Sequence, residues 1–294
     1  EKRRVTVAAL REALDLKGVK LTAEEEKLFN ARARLFLEDH ERGKNVFVRF
    51  GTNEVPAGKS GADGRFGATV LLHAANSGTG APFTAALSPG DTRKLSGELF
   101  PLEEEGVSVV SDIDDTIKIT EVRNREATLR NTFLREFQPV PGMADVYRTI
   151  ARSNQATFHY VSASPWQLYE PLAEFTRMHS FPAGTFELKP FRWKDRSAFN
   201  LFASPEKFKP GVVEPLLKQF PKRKFILIGD SGERDPEIYG VLARKFPNQI
   251  IHIYVRDVTN EPRDSLRYRK AFRDVPDDKW QSFRDPGEIK VASE

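Results

Sequence analysis

The sequence contains no cysteine among its 294 residues, which excludes disulfide bonds, thiolate metal sites and cysteine nucleophiles. Long hydrophobic runs are also missing, since the longest have about five to seven residues and a membrane span needs roughly 20. No signal peptide is recognisable. The chain begins at Glu1 rather than Met, and this start together with the missing cysteines leans toward an exported or periplasmic protein.

Charge of one sign is not in large excess, and the composition is that of a soluble or peripheral membrane protein. The formal net charge is +4, with 39% hydrophobic and 30% charged residues. A mildly basic balance fits an anionic partner, such as a phosphate ester or an acidic membrane surface. We expect no nucleic-acid partner and no transmembrane segment.

The first two regions of the chain differ in their sequence pattern. Residues 1–44 have apolar residues at helical spacing, and Thr22 followed by Glu25 predicts a capping box at a helix start. We expect the charged residues of this helical segment to form a solvated face. Residues 45–105 alternate with a period of two, which predicts a small β-sandwich-like domain. Its predicted strands are 46–50, 66–72, 83–87 and 94–99, with turns at 56–64, 77–82 and 89–90.

The third region, residues 106–294, alternates between strand and helix patterns. This alternation predicts an α/β domain, with a parallel sheet and helices on both faces. Ligands of such sheets bind beyond the carboxyl ends of the strands, where the polar motifs of this chain fall. We expect Phe272, Trp280 and Phe283 to hold the charged tail against the body. The predicted strands are 107–110, 156–161, 224–228 and 250–255, and the predicted helices are 144–153, 167–179, 212–220 and 236–246.

The first polar motif directly follows the strand 107–110 and has the sequence SDIDDT. Asp112 and Asp114 are two positions apart, so their side chains point to the same side of the strand end. Asp112 can attack phosphorus to form an aspartyl-phosphate, while Asp114 can protonate the leaving oxygen and later deprotonate water. Thr116 can hold the turn or orient Asp114. The alternative is an acidic surface loop without a chemical role.

A second acidic motif follows the predicted strand 224–228, after a glycine that permits a sharp turn. Asp230, opposite Asp112, can complete an oxygen-ligand shell for Mg²⁺, which takes one or two carboxylates together with water and substrate phosphate. The backbone carbonyl of Asp114 is expected to join these ligands, because its side chain is needed for proton transfer. Asp235 can support the metal; alternatively, it caps a helix that begins at Pro236.

Two further positions can contact a phosphate group. The hydroxyl of Ser162 and the N–H of Ala163 follow an apolar strand and can hold a phosphoryl oxygen at a helix start, which Ser164 is predicted to cap. A cation must offset the charge that develops on the phosphate. Lys207 and Lys209 are both candidates, and we favour Lys209.

These elements, in this order, resemble the haloacid-dehalogenase-like phosphatase superfamily. Three longer strings are similar to the catalytic domain of the App1-like phosphatidate phosphatases, over roughly residues 105–260. The resemblance implies Mg²⁺-dependent removal of phosphate from phosphatidate through an aspartyl-phosphate, to give diacylglycerol. The strings are SDIDDTIK at 111–118, YVSASPW at 160–166 and GDSGERDPEIY at 229–239.

The spacing of the motifs also bears on the substrate. No insertion between them is long enough for a large cap domain, so we expect an open site that admits a membrane-bound substrate. Residues 189–196, KPFRWKDR, interleave cations with aromatics as at a lipid–water interface, unless Phe191 and Trp193 pack inward. Two other functions stay open: a phosphatase acting on a soluble or protein-bound phosphomonoester, and a membrane-surface binding module without turnover.

Overall fold

The computed structural model describes residues 7–8, 11–12, 14, 16–36, 41–69, 81–190 and 205–291. The chain divides into two compact units, of which the larger comprises Glu1–Leu37 and Glu104–Glu294 and the smaller Glu38–Glu103. The helices whose bounds fall within the described residues are α1 (Ala23–Leu35), α2 (Arg125–Phe133), α3 (Met143–Asn154), α4 (Tyr169–Met178), α5 (Pro205–Gln219), α6 (Asp235–Lys245) and α7 (Leu266–Ala271). The strands of the two units, within the described residues, are β1 (Asn45–Phe50), β2 (Asn53–Lys59), β3 (Ala81–Ala85), β4 (Ser96–Leu99), β5 (Val107–Ser111), β6 (Thr157–Pro165), β7 (Gly184–Lys189), β8 (Lys224–Asp230), β9 (Ile250–Arg256) and β10 (Trp280–Phe283).

The smaller unit contains a four-stranded antiparallel sheet in the order β2-β1-β3-β4. Part of the turn predicted at 56–64 is wrong, because β2 continues to Lys59. Pro56 is tolerated because β2 is an edge strand and the register shifts between Val46 and Phe47 of β1, next to the pair Phe47–Pro56. Residues 66–69, predicted as the start of a strand, lie outside any strand, and residues 70–72 lie outside the described part.

The larger unit is built on a six-stranded parallel sheet in the order β10-β9-β8-β5-β6-β7, which confirms the predicted α/β class. The first strand of this sheet along the chain, β5, lies in its middle, and β6 and β7 follow outward on one side. The chain then returns to the other side of β5 with β8. The strand order therefore reverses between β5 and β8. In sheets of this kind, ligands bind in the crevice at such a reversal.

Hydrophobic residues cover both faces of this sheet, because neighbouring side chains along a strand point to opposite faces. Val109 and Ile226 belong to one buried cluster, which also contains apolar residues of α1, α2, α3 and α4. Val110 and Leu227 belong to the other, with residues of α5, α6 and α7. Helices therefore cover the two faces, as predicted. Each fully buried aliphatic or aromatic side chain contributes about 1.5–3 kcal/mol to this packing.

Helix α1 belongs to the larger unit, where Phe29 and Ala33 are buried in its core. The predicted capping box is confirmed, since the Thr22 hydroxyl accepts the N–H of Glu25 and the Glu25 carboxylate accepts the N–H of Thr22. The expectation of a fully solvated charged face is wrong for Arg32, which is buried. Its guanidinium donates to backbone carbonyls at the end of α2, and apolar spacing alone does not reveal such a role.

Several elements differ from the sequence prediction. Helix α5 starts at Pro205 rather than 212, and it contains Pro210 and Pro215 within its length. Strands β7 and β10 and helices α2 and α7 were not predicted. The aromatic tail residues dock as predicted: Phe272 stacks on Trp280 with ring centroids 4.2 Å apart, and Phe283 is buried.

Candidate active site

The two acidic motifs lie at the carboxyl ends of the two strands between which the strand order reverses. Residue Ser111 of β5 pairs with Ile228 of β8, and the next N–H, of Asp112, donates to the Ile228 carbonyl over 2.8 Å. The parallel register therefore brings Asp112 and Asp230 to the same edge of the sheet.

Three of the predicted carboxylates form one cluster. Oxygens of Asp112, Asp230 and Asp235 lie within 4.8 Å of one another, and all three residues are buried. Burial, reinforced by the neighbouring carboxylates, raises the pKa of Asp112 to about 7, that of Asp235 to about 6 and that of Asp230 well above its ordinary value. Within the described residues, Oδ2 of Asp230 has no hydrogen-bond partner. Buried oxygen ligands with this charge fit a divalent cation.

Gly229 allows this cluster to close. A Cβ at this position would lie 2.1 Å from Oδ2 of Asp235, so only glycine lets the Asp235 side chain approach the end of β8. That carboxylate accepts the N–H of Asp230 over 3.2 Å. The alternative prediction that Asp235 caps a helix is wrong, because α6 begins at Asp235 itself and its N-cap is Arg234.

Lys209 enters the cluster from within α5. Its ammonium lies 3.0 Å from Oδ1 of Asp112 and 3.2 Å from Oε2 of Glu233, and it donates to Asp235. Burial by itself would lower the pKa of Lys209, but the surrounding carboxylates raise it well above its ordinary value. Lys207, the other candidate, is exposed on the same helix. Glu233 was missed, although it lies inside the second acidic motif.

Asp114 lies apart from this cluster, in a pocket of hydrogen-bond donors. Its Oδ2 accepts the hydroxyls of Ser162 and Ser164 over 2.9 and 2.7 Å. Its Oδ1 accepts the Thr120 hydroxyl over 2.8 Å and lies 2.7 Å from the Lys118 ammonium. Burial would raise the pKa of Asp114, but the Lys118 charge and these hydrogen bonds lower it far below its ordinary value. Lys118 and Thr120 were not predicted as site residues.

The prediction for the segment after Ser162 is wrong in one respect. No helix starts there, because β6 continues through the buried Ala163 to Pro165, and a 3₁₀ turn at Trp166–Leu168 precedes α4. Ser164 therefore caps no helix. Its N–H donates to the Ser162 hydroxyl over 2.9 Å, and its own hydroxyl contacts Asp114.

Thr116 contacts the first aspartate rather than the second. Its hydroxyl donates to Oδ2 of Asp112 over 3.1 Å, so it orients Asp112 and not Asp114.

The expected interfacial segment 189–196 is described only at Lys189, at the end of β7, and at Pro190, so Phe191 and Trp193 lie outside the described residues. Among the described residues, every helix is too short or too polar to span a bilayer.

The protein is of the α/β class, with a parallel sheet and with acidic groups and a lysine where the strand order reverses. Comparison with known proteins shows its family. The family model for the catalytic domain of phosphatidate phosphatase APP1 matches residues 107–257, just over half of the chain. The chain therefore belongs to this family. All the predicted site residues fall inside the match: Asp112, Asp114, Thr116, Ser162, Ala163, Lys209, Asp230 and Asp235.

Two yeast proteins are similar to this region. Phosphatidate phosphatase APP1 of Saccharomyces cerevisiae is 38% identical over 173 residues, which are 57% of this chain and 29% of the relative. An uncharacterized protein of Schizosaccharomyces pombe is 34% identical over 168 residues, which are 56% of this chain and 27% of the relative. The matched region thus spans less than a third of each relative.

Proposed function

We propose that this protein is a Mg²⁺-dependent phosphatase that hydrolyses phosphatidate to diacylglycerol and phosphate. The observation that carries the proposal is the buried cluster of Asp112, Asp230 and Asp235 around Lys209, inside the region that matches the phosphatidate phosphatase family. The strand order and the sequence of motifs further support a haloacid-dehalogenase-like assignment. Phosphatidate is proposed as the substrate because the family and its Saccharomyces cerevisiae member are named as phosphatidate phosphatases.

The acidic cluster supplies the ligands for the metal. Asp112, Asp230 and Asp235 would hold Mg²⁺ through carboxylate oxygens, with the backbone carbonyl of Asp114 as a further ligand. Bound there, the ion would offset the repulsion among the carboxylates and the charge of the substrate phosphate. Oδ2 of Asp230, which has no hydrogen-bond partner among the described residues, is the group that best fits this role.

The side chains divide the chemistry between them. A carboxylate oxygen of Asp112 forms a bond to phosphorus as the bond to the diacylglycerol oxygen breaks, and Asp114, in the minor protonated form that its lowered pKa leaves at neutral pH, gives that oxygen a proton. Asp114 then takes a proton from the water that cleaves the aspartyl-phosphate. Thr116 and Lys209 orient Asp112, and Lys209 also balances the phosphate charge. The hydroxyl of Ser162, which donates to Asp114 in the absence of substrate, would turn to hold a phosphoryl oxygen together with the N–H of Ala163.

Phosphate release from phosphatidate in mixed micelles, with and without Mg²⁺, tests this proposal. We expect release by the wild type that a chelator abolishes and that Asp112→Asn lacks. Asp145→Asn, at an exposed position on α3, is the matched control and should behave as the wild type. Absence of release from phosphatidate by a folded, Mg²⁺-loaded wild type would contradict the lipid assignment.

The alternative within the same chemistry is a phosphatase that acts on a soluble or protein-bound phosphomonoester. A site without a large cap domain would admit such substrates too. A lipid enzyme should respond to the mole fraction of phosphatidate at the micelle surface, whereas a soluble-substrate enzyme should not. Release from an aryl phosphate alone, dependent on Asp112, would favour this alternative. A binding module without turnover would instead release phosphate from neither substrate.

A further inference from the structure

The loop after β5 folds back so that Lys118 lies beside Asp114. Asp115 adopts a left-handed conformation with φ of 53°, and its N–H donates to the Lys118 carbonyl over 2.7 Å. The Asp115 carboxylate accepts the N–H groups of Thr120 and Val122, over 2.8 and 2.7 Å. Backbone contacts therefore fix where Lys118 and Thr120 stand relative to the strand end.

Lys118 and Thr120 form a buried anchor on one oxygen of Asp114. The Lys118 ammonium lies 2.7 Å from Oδ1, and it also donates to the Thr120 hydroxyl, which in turn donates to Oδ1 over 2.8 Å. The ring of Phe137 lies 4.8 Å from the ammonium, and the Lys118 side chain is almost completely excluded from solvent. Among the residues that the structure describes, Asp114 is the acidic group recorded within ion-pair distance of this lysine.

Stability alone does not account for this anchor. Burying a lysine and an aspartate costs desolvation free energy that their attraction only partly returns, and apolar replacements of such pairs are often neutral or stabilising. The pair instead restricts the Asp114 carboxylate to one place. There its second oxygen meets Ser162 and Ser164, and the carboxylate stays outside the cluster of Asp112, Asp230 and Asp235.

We propose that Lys118, assisted by Thr120, is a positioning residue that holds Asp114 for proton transfer and keeps it from becoming a side-chain ligand of the metal. The inference rests on the proposed phosphatase activity. The phosphatase needs a carboxylate that passes a proton to the leaving oxygen, and a carboxylate drawn into the cation site could not do so. In the described part of the chain, the contacts recorded for the Lys118 ammonium are with Asp114, Thr120 and Phe137, and not with the clustered carboxylates.

Substrates that differ in their leaving group separate this role from a structural one. Nitrophenolate leaves without a proton, whereas the diacylglycerol oxygen needs one. Lys118→Met and Thr120→Val are compared in single turnovers with enzyme in excess, on p-nitrophenyl phosphate and on dioctanoyl phosphatidate in mixed micelles. Lys222→Met, at an exposed lysine, and Thr176→Val, at a buried threonine on α4, are the matched controls.

We expect the variants to lose on the order of 10²–10⁴-fold on phosphatidate and less than about tenfold in nitrophenol release, since that range is the usual contribution of general acid catalysis. The controls should match the wild type. An equal loss on both substrates would overturn the proposal. Thr120→Val, which keeps the shape of the side chain, gives the same comparison if Lys118→Met fails to fold.

A crystal structure of each variant gives a readout that does not need activity. Displacement of the Asp114 carboxylate from Ser162 and Ser164 supports the positioning role, and an unchanged Asp114 contradicts it. This arm decides whether Lys118 positions the Asp114 carboxylate even if the wild type hydrolyses neither substrate, a result that would refute the proposed phosphatase function.

Discussion

At the scale of single residues, the site is built from side chains that lie close together in space, and the spacing of the sequence predicts only some of these contacts. The positions of Asp112 and Asp230 could be predicted, because the ends of parallel strands meet at one edge of a sheet. Lys118 and Ser164 could not be predicted as partners of Asp114. Their contacts arise from the left-handed turn at Asp115 and from the continuation of β6 beyond Ser162, and neither has a periodic signal.

Gly229 offers a prediction at this scale, because it would act on the proposed metal site without being a ligand. We expect Gly229→Ala to lower the affinity for Mg²⁺ by about 10- to 100-fold, the usual cost of disturbing the groups that support metal ligands. The new Cβ would displace Asp235, whose Oδ2 lies 2.1 Å from its position. Titration calorimetry measures the affinity. Gly67→Ala, where a Cβ meets nothing within 4 Å, is the control, and equal affinities of the two variants would refute this account.

At the scale of elements, strands were easier to predict than the contacts between helices. The strands β5, β8 and β9 begin at the predicted residues and end one or two residues later than predicted, because their apolar runs are short and buried on both faces. β7 and β10 lie at the two edges of the sheet and were missed, since their burial patterns are mixed. The role of Arg32 in joining α1 to α2 has no sequence signal, because a buried arginine is rare.

Arg32 therefore tests the packing of α1. Its guanidinium donates to the Thr132 carbonyl over 2.7 Å and to that of Arg135, and it lies 4.1 Å from the centre of the Phe137 ring. We expect Arg32→Ala to lower the free energy of unfolding by about 2 kcal/mol or more, because these carbonyls lose a charged donor. Urea unfolding measures the change. Arg34→Ala, exposed on the same helix, should stay within about 0.5 kcal/mol of the wild type, and similar losses for both would contradict the assigned contacts.

At the scale of the whole molecule, the candidate site lies entirely within the larger unit, and so does the region that matches the family. The smaller unit contributes none of the predicted site residues. The period-two alternation of residues 45–105 predicts β1, β3 and β4, but it also predicts a strand over 66–69 where the structure has none, and it places part of β2 in a turn around Pro56.

Metal binding should stabilise the larger unit. If the acidic cluster holds Mg²⁺ as proposed, the ion at 100 times its dissociation constant is expected to raise the free energy of unfolding of this unit by about 2.7 kcal/mol, because the cluster is assembled only in the folded protein. Asp230→Asn should abolish this gain and make the metal-free protein more stable, since it removes a buried charge from the acidic cluster. Hydrogen exchange should show Mg²⁺-dependent protection at the ends of β5 and β8 and none in β1 to β4. Mg²⁺-dependent protection that persists in Asp230→Asn would argue against the site.

The central claim is that Asp112 becomes phosphorylated. The most direct measurement is acid quenching of Asp114→Asn after incubation with Mg²⁺ and p-nitrophenyl phosphate, whose leaving group needs no proton from residue 114, followed by mass spectrometry of the peptide that contains residue 112. We predict a phosphoryl group on Asp112, because the variant lacks the base that activates water for the second step. Phosphate release by the wild type with no phosphorylated peptide in either protein would contradict the account and assign the attack to another nucleophile.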